Sequence, residues 1–404
     1  MVVRRPPGRR AQILAVAADR FHRSGYHQVS MTEVAAGVGI TAPALYRHFR
    51  GKPELLDRAV RLGLDALADG LRAARTVEEL GAALAAVAVG HRPLGTLVQR
   101  DARLLPPARR AALRRELRTD VALMTAVLRA ERPELALAEA ELLCWSALSA
   151  CAGLSYQSAA PQPRRAEALL RDVVAAVLAV SLDGAATGPA LDATPATVVS
   201  GARPPARREE LLAAAVRLFH ERGFDNVSTD QLGAAVGISG PSVYRHFDSK
   251  AQLLAASLVR SRERLWHEVD GAIAAAGTAT GTAAAAGTAA GTAAGPEAAL
   301  AAGLAAYVGF ARRNGDYLGA MLSETERLAP RDRRAAVDFR RDFLRTWVGL
   351  LREVHPECDA VEARIRVHAL FALVNDGVRN RPHSARPDLG ECLLRLGRAV
   401  LGLS

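Results

Sequence analysis

The chain has 404 residues, a formal net charge of +11 and a sequence pI of about 10.3. Half of the residues are hydrophobic, which excludes a disordered chain, and abundant Ala, Leu and Arg favour helix over strand. The length allows two to four domains, and the basic balance suits a nucleic-acid partner, although Arg-rich composition can also reflect a GC-rich genome. The N-terminus lacks the apolar stretch of a signal peptide, and no uninterrupted apolar run reaches about 18 residues. We therefore expect a cytoplasmic, nucleoid-associated protein without a membrane partner.

The spacing of reactive side chains gives no sign of catalysis. The four cysteines form no C-x-x-C pair, and no histidines lie at metal-ligand spacing. We find no nucleophile elbow, phosphate loop or carboxylate pair. The sequence thus predicts no metal, no cofactor and no enzyme.

The first two predicted helices lie near the N-terminus. Apolar residues recur every 3.6 positions over 9–24, which predicts a helix that Gly25 ends. Ser30-Met31-Thr32-Glu33 then has the S-x-x-E pattern of a capping box, which predicts a second helix over 31–37.

A short third helix is predicted over 42–49. Gly39 lies where a tight turn between helices needs positive φ, and Thr41 is placed as the N-cap. On a helical wheel Leu45 and Phe49 point inward against the first two helices. This pattern predicts a helix-turn-helix module.

The opposite face of the third helix carries the candidate DNA contacts. Positions 43, 44 and 47 would face base edges, with positions 46 and 48 meeting the phosphates on either side. Lys52 follows at the start of a fourth helix, where its ammonium could meet an anion. The candidate DNA contacts of this copy are Thr32, Thr41, Ala42, Pro43, Ala44, Tyr46, Arg47, His48 and Lys52.

The module occurs twice. Shifted by 198 positions, residues 9–56 align with 207–254 without a gap, and about 22 of these positions are identical. The only two lysines in the chain, Lys52 and Lys250, fall on each other. The candidate DNA contacts of the second copy are Asp230, Ser239, Gly240, Pro241, Ser242, Tyr244, Arg245, His246 and Lys250.

The repeat continues at a longer shift. Residues 108–130 correspond to 331–353 at a shift of 223 positions, so about 25 residues have been inserted between. The Gly/Ala/Thr tract around 276–296 is the obvious source, either as a low-complexity insert or as a frayed Ala-rich helix. Residues 184–206, rich in Gly, Pro, Ala and Thr, are predicted to be a linker.

Two segments carry a resemblance to a known family. Thr41–Leu56 (TAPALYRHFRGKPELL) and Ser239–Leu254 (SGPSVYRHFDSKAQLL) both resemble the signature of TetR/AcrR regulators. The resemblance implies an all-α fold of two tandem units, each a three-helix head followed by a helical ligand and dimerisation body. It also implies that Tyr, His and Lys of each signature contact phosphates. The expected domains are head one at 1–56, body one at 57–183, the linker, head two at 207–254 and body two at 255–404.

The two bodies differ in aromatic content. Body one has only two aromatic residues, whereas body two has eight, so a pocket for a small hydrophobic effector is expected in body two. These aromatic residues could equally be ordinary core. The candidate ligand contacts are Tyr307, Phe310, Phe343, Trp347, His368, Phe371 and, in body one, Trp145.

The presence of two heads in one chain bears on assembly. Family resemblance implies two-fold pairing, so we expect an intramolecular pseudo-dimer on an imperfect palindrome. A linker of 23 residues can span at most about 80 Å, whereas half-sites on one DNA face lie about 34–36 Å apart. The alternative assembly is a whole-chain dimer with four heads. The alternative function is a DNA-binding regulator without a small-molecule effector. The leading function is a ligand-responsive repressor.

Overall fold

The computed structural model describes residues 8–157, 161–182, 207–285 and 294–403. Within these ranges the chain is helical and forms no β-strand, which confirms the all-α prediction. The chain divides into two compact units, Met1–Ala179 and Val180–Ser404. The predicted linker at 184–206 lies outside the described residues.

The first unit contains nine α-helices among its described residues. They are α1 (Arg9–Ser24), α2 (Met31–Gly37), α3 (Ala42–Tyr46), α4 (Lys52–Ala73), α5 (Val77–Gly90), α6 (Leu94–Thr96), α7 (Pro107–Glu131), α8 (Leu137–Ala152) and α9 (Pro163–Ala179). A π-helical turn (Leu97–Asp101) and two 3₁₀ turns (Ala102–Leu104 and Gly153–Tyr156) complete it.

The second unit contains ten α-helices among its described residues. They are α10 (Arg207–Arg222), α11 (Thr229–Ala234), α12 (Gly240–Val243), α13 (Lys250–Ala285), α14 (Ala294–Arg313), α15 (Gly315–Glu324), α16 (Pro330–Val354), α17 (Ala360–Arg379), α18 (Arg381–Ser384) and α19 (Leu389–Leu401). Two 3₁₀ turns lie at Phe224–Asn226 and Thr325–Arg327.

The Gly/Ala/Thr tract is helical wherever it is described. Helix α13 runs through it to Ala285, α14 starts at Ala294, and 286–293 lie outside the described residues. The Ala-rich helix alternative is therefore the correct one for these parts of the tract, because Ala has the highest helix propensity.

Capping boxes and turn glycines form in both heads at the expected positions. Ser30 and Ser228 both form complete capping boxes, with Glu33 and Gln231 respectively as the reciprocal partners. The turn between the second and third helices of each head contains a glycine with φ near +70°, a backbone conformation that L side chains rarely adopt. The predicted capping boxes and glycine turns are confirmed in both copies.

The two bodies keep the same order of helices. The 223-residue shift carries the bounds of α7, Pro107–Glu131, onto those of α16, Pro330–Val354. The same shift relates α5 to α14 and α8 to α17. Equivalent positions in the two bodies can therefore be compared residue by residue.

One stretch among the described residues is long and apolar enough to cross a membrane by composition alone. It is Leu137–Tyr156, and 61% of its apolar window is buried within the protein. A core helix of a soluble protein has the same properties. The bent pair Val77–Gly90 and Leu94–Leu104 passes the test only if it is counted as one span.

Candidate nucleic-acid interface and ligand site

Each head presents an exposed tyrosine from a buried support. Tyr46 is 54% exposed and Tyr244 is 53% exposed, so each ring is open to solvent at the end of the third helix. Behind Tyr46, Leu45 and Phe49 are buried at 0% and 1%. The second copy repeats this with Val243 and Phe247 at 3% each. The predicted inward and outward faces are therefore both present.

The third helix of each head is shorter than predicted. Helix α3 ends at Tyr46 rather than at residue 49, and α12 ends at Val243. The backbone tightens because His48 N donates to Leu45 O at 2.9 Å, which is an i to i+3 bond. Arg47 and His48 therefore project from the turn after the helix, where both remain exposed.

The other predicted contacts of head one lie around the same surface. Thr41 and Pro43 are exposed at the start of α3, with Ala42 and Ala44 partly covered. Thr32 is exposed at the start of α2. The predicted residues other than Lys52 thus lie on α2, on α3 and in the turn that follows α3, and they are exposed or partly exposed.

Head two differs from head one at the surface that carries its candidate DNA contacts. Asp230 lies against Gly240: a Cβ at Gly240 would come within 1.8 Å of Asp230 Oδ1. Ser239 and Ser242 hydrogen-bond to each other through their Oγ atoms at 2.8 Å. Pro241, Tyr244, Arg245 and His246 are exposed as in head one. The carboxylate of Asp230 gives this surface a local negative charge that Thr32 does not give head one.

The two lysines are engaged inside the heads. Lys52 Nζ donates to Val29 O at 2.9 Å and to His27 O at 3.4 Å, and lies 4.4 Å from the ring centroid of Tyr26. Lys250 Nζ likewise donates to Phe224 O and Val227 O, and lies 4.4 Å from the Phe224 ring centroid. The structure therefore gives both lysines a positioning role, because they hold the loop between the first two helices. Their predicted phosphate contacts remain predictions.

An arginine pair at the start of each unit also has an internal role that the sequence pattern did not reveal. Arg9 Nη1 donates to Val38 O at 3.2 Å, and Arg207 Nη1 donates to Val236 O at 2.7 Å. Each bond connects the first helix of the head to the glycine turn before its third helix. The next arginine in each copy stacks over the supporting phenylalanine, Arg10 over Phe49 and Arg208 over Phe247. The only available signal was the recurrence of Arg-Arg at the same register.

In unit one the head joins its body through buried polar contacts. His22, in the last turn of α1, hydrogen-bonds through Nδ1 to Thr96 Oγ1 at 3.1 Å. Arg100 donates to Phe21 O at 2.6 Å and makes a two-pronged ion pair with Asp101, which is 2% exposed. Burial, aided by neighbouring arginines, lowers the pKa of His22 to about 4. This histidine is therefore neutral at physiological pH.

In unit two the equivalent junction uses the same positions with different residues. His220 corresponds to His22, and its ring lies where a Cβ on Gly319 would come within 2.1 Å of it. Gly319 corresponds to Thr96 at the 223-residue shift. Glu324, which corresponds to Asp101, is 1% exposed and accepts a bond from Phe224 N at 3.4 Å. The head–body junction is thus a duplicated feature with its own chemistry in each copy.

The aromatic candidates of body two pack mainly against one another. The Tyr307 ring lies 5.0–6.0 Å from the rings of Phe343, Trp347 and Phe371. Trp347 is fully buried, and Tyr307 Oη donates to Asn375 Oδ1 at 2.8 Å. The rings therefore form a filled core, as the alternative interpretation of these residues held. Their role as ligand contacts stays a prediction.

The remaining ligand candidates are Phe310, Trp145 and His368. Phe310 is fully buried and packs edge-on against Tyr317. Trp145 and His368 are both half-buried and occupy equivalent positions on α8 and α17. Their role as ligand contacts also stays a prediction.

These features define a class. Each unit starts with a helix-turn-helix head, stabilised by a buried core and by a lysine that holds its first loop. Both heads match the model of the bacterial regulatory proteins of the tetR family, at residues 13–59 and 211–257. The chain therefore contains two copies of the segment that this family model describes, one in the head of each unit.

Curated relatives match a short part of the chain. The chain is 39% identical over 66 residues to the HTH-type transcriptional activator FasR of Mycolicibacterium smegmatis, covering 16% of this chain and 30% of that protein. It is 37% identical over 57 residues to the HTH-type transcriptional repressor KstR2 of Mycobacterium tuberculosis, covering 14% and 28%. The match thus spans less than a third of these relatives.

Solved structures of similar proteins cover about one unit. The TetR-family regulator PfmR from Thermus thermophilus is 23% identical with a TM-score of 0.37, over 41% of this chain and 97% of that one. The ketosteroid regulator KstR2 of Mycobacterium tuberculosis is 22% identical with a TM-score of 0.37, over 44% and 97%.

Proposed function

We propose that this protein is a sequence-specific DNA-binding transcription regulator that reads two half-sites with the two heads of one chain. The observation that carries the proposal is the recurrence, in both copies, of an exposed Tyr-Arg-His surface on a buried aliphatic and phenylalanine support. Exposed aromatic and basic side chains beside a recognition helix can contact phosphates and base edges.

The test is binding to the promoter fragment of its own gene. Changing both Tyr46 and Tyr244 to Ala should abolish specific binding while leaving the fold intact, because both rings are solvent-exposed. Leu137→Ala is a matched control, since Leu137 is also 54% exposed but lies on a body helix. Unchanged affinity of the double variant, with unchanged circular dichroism, would refute the proposal.

The role of the arginine in each head can be separated from its charge. If Arg47 contacts a phosphate, Arg47→Gln should lower the slope of log K against log salt by about 0.9 and weaken all sequences alike. If it reads a base, the variant should relax preference at one position of the half-site. Arg245→Gln should act on the other half-site.

We further propose that head one binds DNA more tightly than head two. Residues 1–58 hold ten basic and four acidic residues, whereas 203–260 hold eight and six. Asp230 adds a carboxylate at the second reading surface, where phosphates repel it. Tyr46→Ala in the full chain should therefore weaken operator binding more than Tyr244→Ala does at low salt, and the reverse order would reject the asymmetry.

The pairing of heads within one chain is also a proposal. It is supported by the duplication itself and by a predicted linker long enough to join the end of one unit to the next head. The operator should then be an imperfect palindrome, because the two recognition helices differ in sequence. Light scattering decides the assembly: a mass of 42.8 kDa supports the pseudo-dimer, and twice that mass supports a whole-chain dimer.

A small-molecule response is the remaining element of the proposal. The helical body after each head supports it, and a cytoplasmic location follows for a protein that acts on the nucleoid. The second candidate is a regulator without an effector, favoured by the tightly filled aromatic core of body two. Named relatives include both an activator and a repressor, and we propose repression. Ligands that raise the melting temperature and release the operator would support the response.

A further inference from the structure

A narrow cleft opens in body two beside the helix that leaves the second head. It lies between α13, the α15 region and the start of α16, and it is nearly closed, with free space of about 20 Å³. Its walls are mostly apolar, formed by Leu258, Val259, Met321, Leu328, Ala336 and Phe339 among others. This is room for about one water molecule, so a small ligand can enter only where α13 and α16 move apart.

The polar groups of the cleft select the charge of that occupant. Arg262 is half-buried, and its guanidinium lies 5.4 Å from the ring centroid of Phe339. Within the part of the chain that the structure describes, it forms no ion pair. Tyr317 is buried, and its hydroxyl donates to Met321 Sδ at 3.4 Å. Burial raises the pKa of Tyr317, so the phenol stays neutral.

One carboxylate also lines the cleft. Asp332 lies in the first turn of α16, where the partial positive charge of the helix N-terminus offsets its own charge. The guanidinium of Arg262 lies over the Phe339 ring but pairs with no carboxylate among the described residues. The cleft therefore complements an apolar molecule that carries one negative group.

The equivalent place in body one is closed by ion pairs. Arg109 donates to both carboxylate oxygens of Asp57, at 3.0 and 2.5 Å. Arg61 Nη2 lies 3.2 Å from Glu116 Oε1. Both pairs join α4 to α7, the helices that correspond to α13 and α16.

The two copies differ at these positions in a consistent way. The corresponding residues of body two are Ala255 for Asp57, Val259 for Arg61, Asp332 for Arg109 and Phe339 for Glu116. Arg262 itself replaces Leu64. One copy has a charged clamp between the two helices, and the other has a cleft whose Arg262 forms no ion pair with the described residues.

We propose that the second copy alone senses the effector, and that its cleft binds a small apolar carboxylate whose charge pairs with Arg262. This rests on the ligand response proposed above and assigns it to one of the two bodies. A molecule that enters the cleft separates α13 from α16, and α13 begins directly at head two. The clamp of body one holds α4 against α7 and keeps head one unresponsive.

Three probes with one ring and different charges test the ligand class in the full-length protein. Benzoate should raise the melting temperature in proportion to its concentration and change the fluorescence of Trp266, whose ring centroid lies 6.0 Å from that of Phe339. Benzamide and benzylamine should have little effect. Octanoate serves as a second, ring-free carboxylate. Equal effects of the three one-ring probes on the melting temperature would overturn the assignment, as would the absence of any effect from benzoate or octanoate at millimolar concentration.

Substitutions test the site. Arg262→Leu, which installs the residue of body one, should weaken benzoate binding about 10- to 100-fold. Arg262→Lys should recover part of the loss, and Arg264→Leu, at an exposed position on the same helix, should have no effect. Benzoate bound as tightly by Arg262→Leu as by the parent would refute the site.

A transplant of the clamp tests the claim that one copy senses. Val259→Arg with Phe339→Glu should abolish the benzoate response while leaving operator binding intact; should this pair not fold, Arg262→Leu supplies the same comparison. Arg61→Leu in body one should leave the response unchanged. Operator release by an uncharged ligand would overturn the cleft assignment yet leave the regulator proposal standing, whereas absence of specific DNA binding would defeat the proposed function itself.

Discussion

Substituting Gly319 by alanine tests whether the head–body junction of unit two stabilises the unit. The new Cβ would lie 2.1 Å from both Cε1 and Nδ1 of His220. The imidazole would have to move by roughly 1.3 Å to restore ordinary van der Waals contact, and it is held between α10 and α15. Overpacking of this kind destabilises by about 1–3 kcal/mol, against a gain of about 1 kcal/mol in helix propensity. We expect a net loss of up to about 2 kcal/mol.

The assay must observe one unit at a time, because two-unit proteins need not unfold in a single step. Trp145 is the only tryptophan of unit one, so a Trp145→Phe background leaves fluorescence that reports on unit two alone. Urea unfolding in this background should show a lower midpoint for Gly319→Ala with an unchanged slope.

Gly349→Ala is the matched control. Gly349 lies in α16, and a Cβ there would meet nothing within 4 Å. This variant should gain about 0.5–1 kcal/mol from helix propensity alone. A double variant, Gly319→Ala with His220→Ala, should lose less than the two single changes together, since the clash is gone. If Gly319→Ala were as stable as the control, the tight contact between His220 and α15 would be refuted.

Three further outcomes follow from buried charge and hydrogen bonding. Lys52→Met should lower the stability of unit one by about 1–3 kcal/mol, and Lys250→Met that of unit two, because each change removes two bonds to loop carbonyls; equal urea midpoints for variant and parent would contradict this. The native pKa of His22 lies near 4, below its ordinary value of 6.5. The free energy of unfolding of unit one should therefore fall as the pH drops from 6.5 to 4, and by at most about 2 kcal/mol between pH 7 and pH 5. His22→Gln should flatten that part of the stability profile. Burial raises the pKa of Asp120 to about 6, so Asp120 destabilises unit one as pH rises from 4 to 7, and Asp120→Asn should remove this opposite slope.

Sequence patterns predicted the heads well because their determinants are local. A capping box, a turn glycine and an inward Leu–Phe pair each act within a few residues, and all were found where expected. The role of Lys52 could not be predicted in this way. Its partners are the carbonyls of His27 and Val29, which come close only when the first loop folds back on the fourth helix.

The ligand site shows a second limit. Counting aromatic residues pointed to body two, but it could not distinguish rings that fill a core from rings that line a space. Tyr307 and Trp347 pack against each other, whereas the cleft uses Phe339 together with Arg262, which carried no pattern of its own. The difference becomes visible when equivalent positions are compared: body one has a charged clamp between two helices, and body two has a cleft there.

A single responsive body is sufficient to control a two-headed regulator. The interiors of the bodies have diverged: Phe343 and Trp347 of body two stand where body one has Asp120 and Met124. If both heads hold one operator, the second contact is intramolecular and strengthens binding by about 10²–10⁴-fold. An effector that moves head two alone removes this whole factor, although head one still fits its half-site. The asymmetry between the bodies is therefore compatible with full release of the operator. It predicts that the effector has no influence on binding to an operator that contains only the half-site of head one.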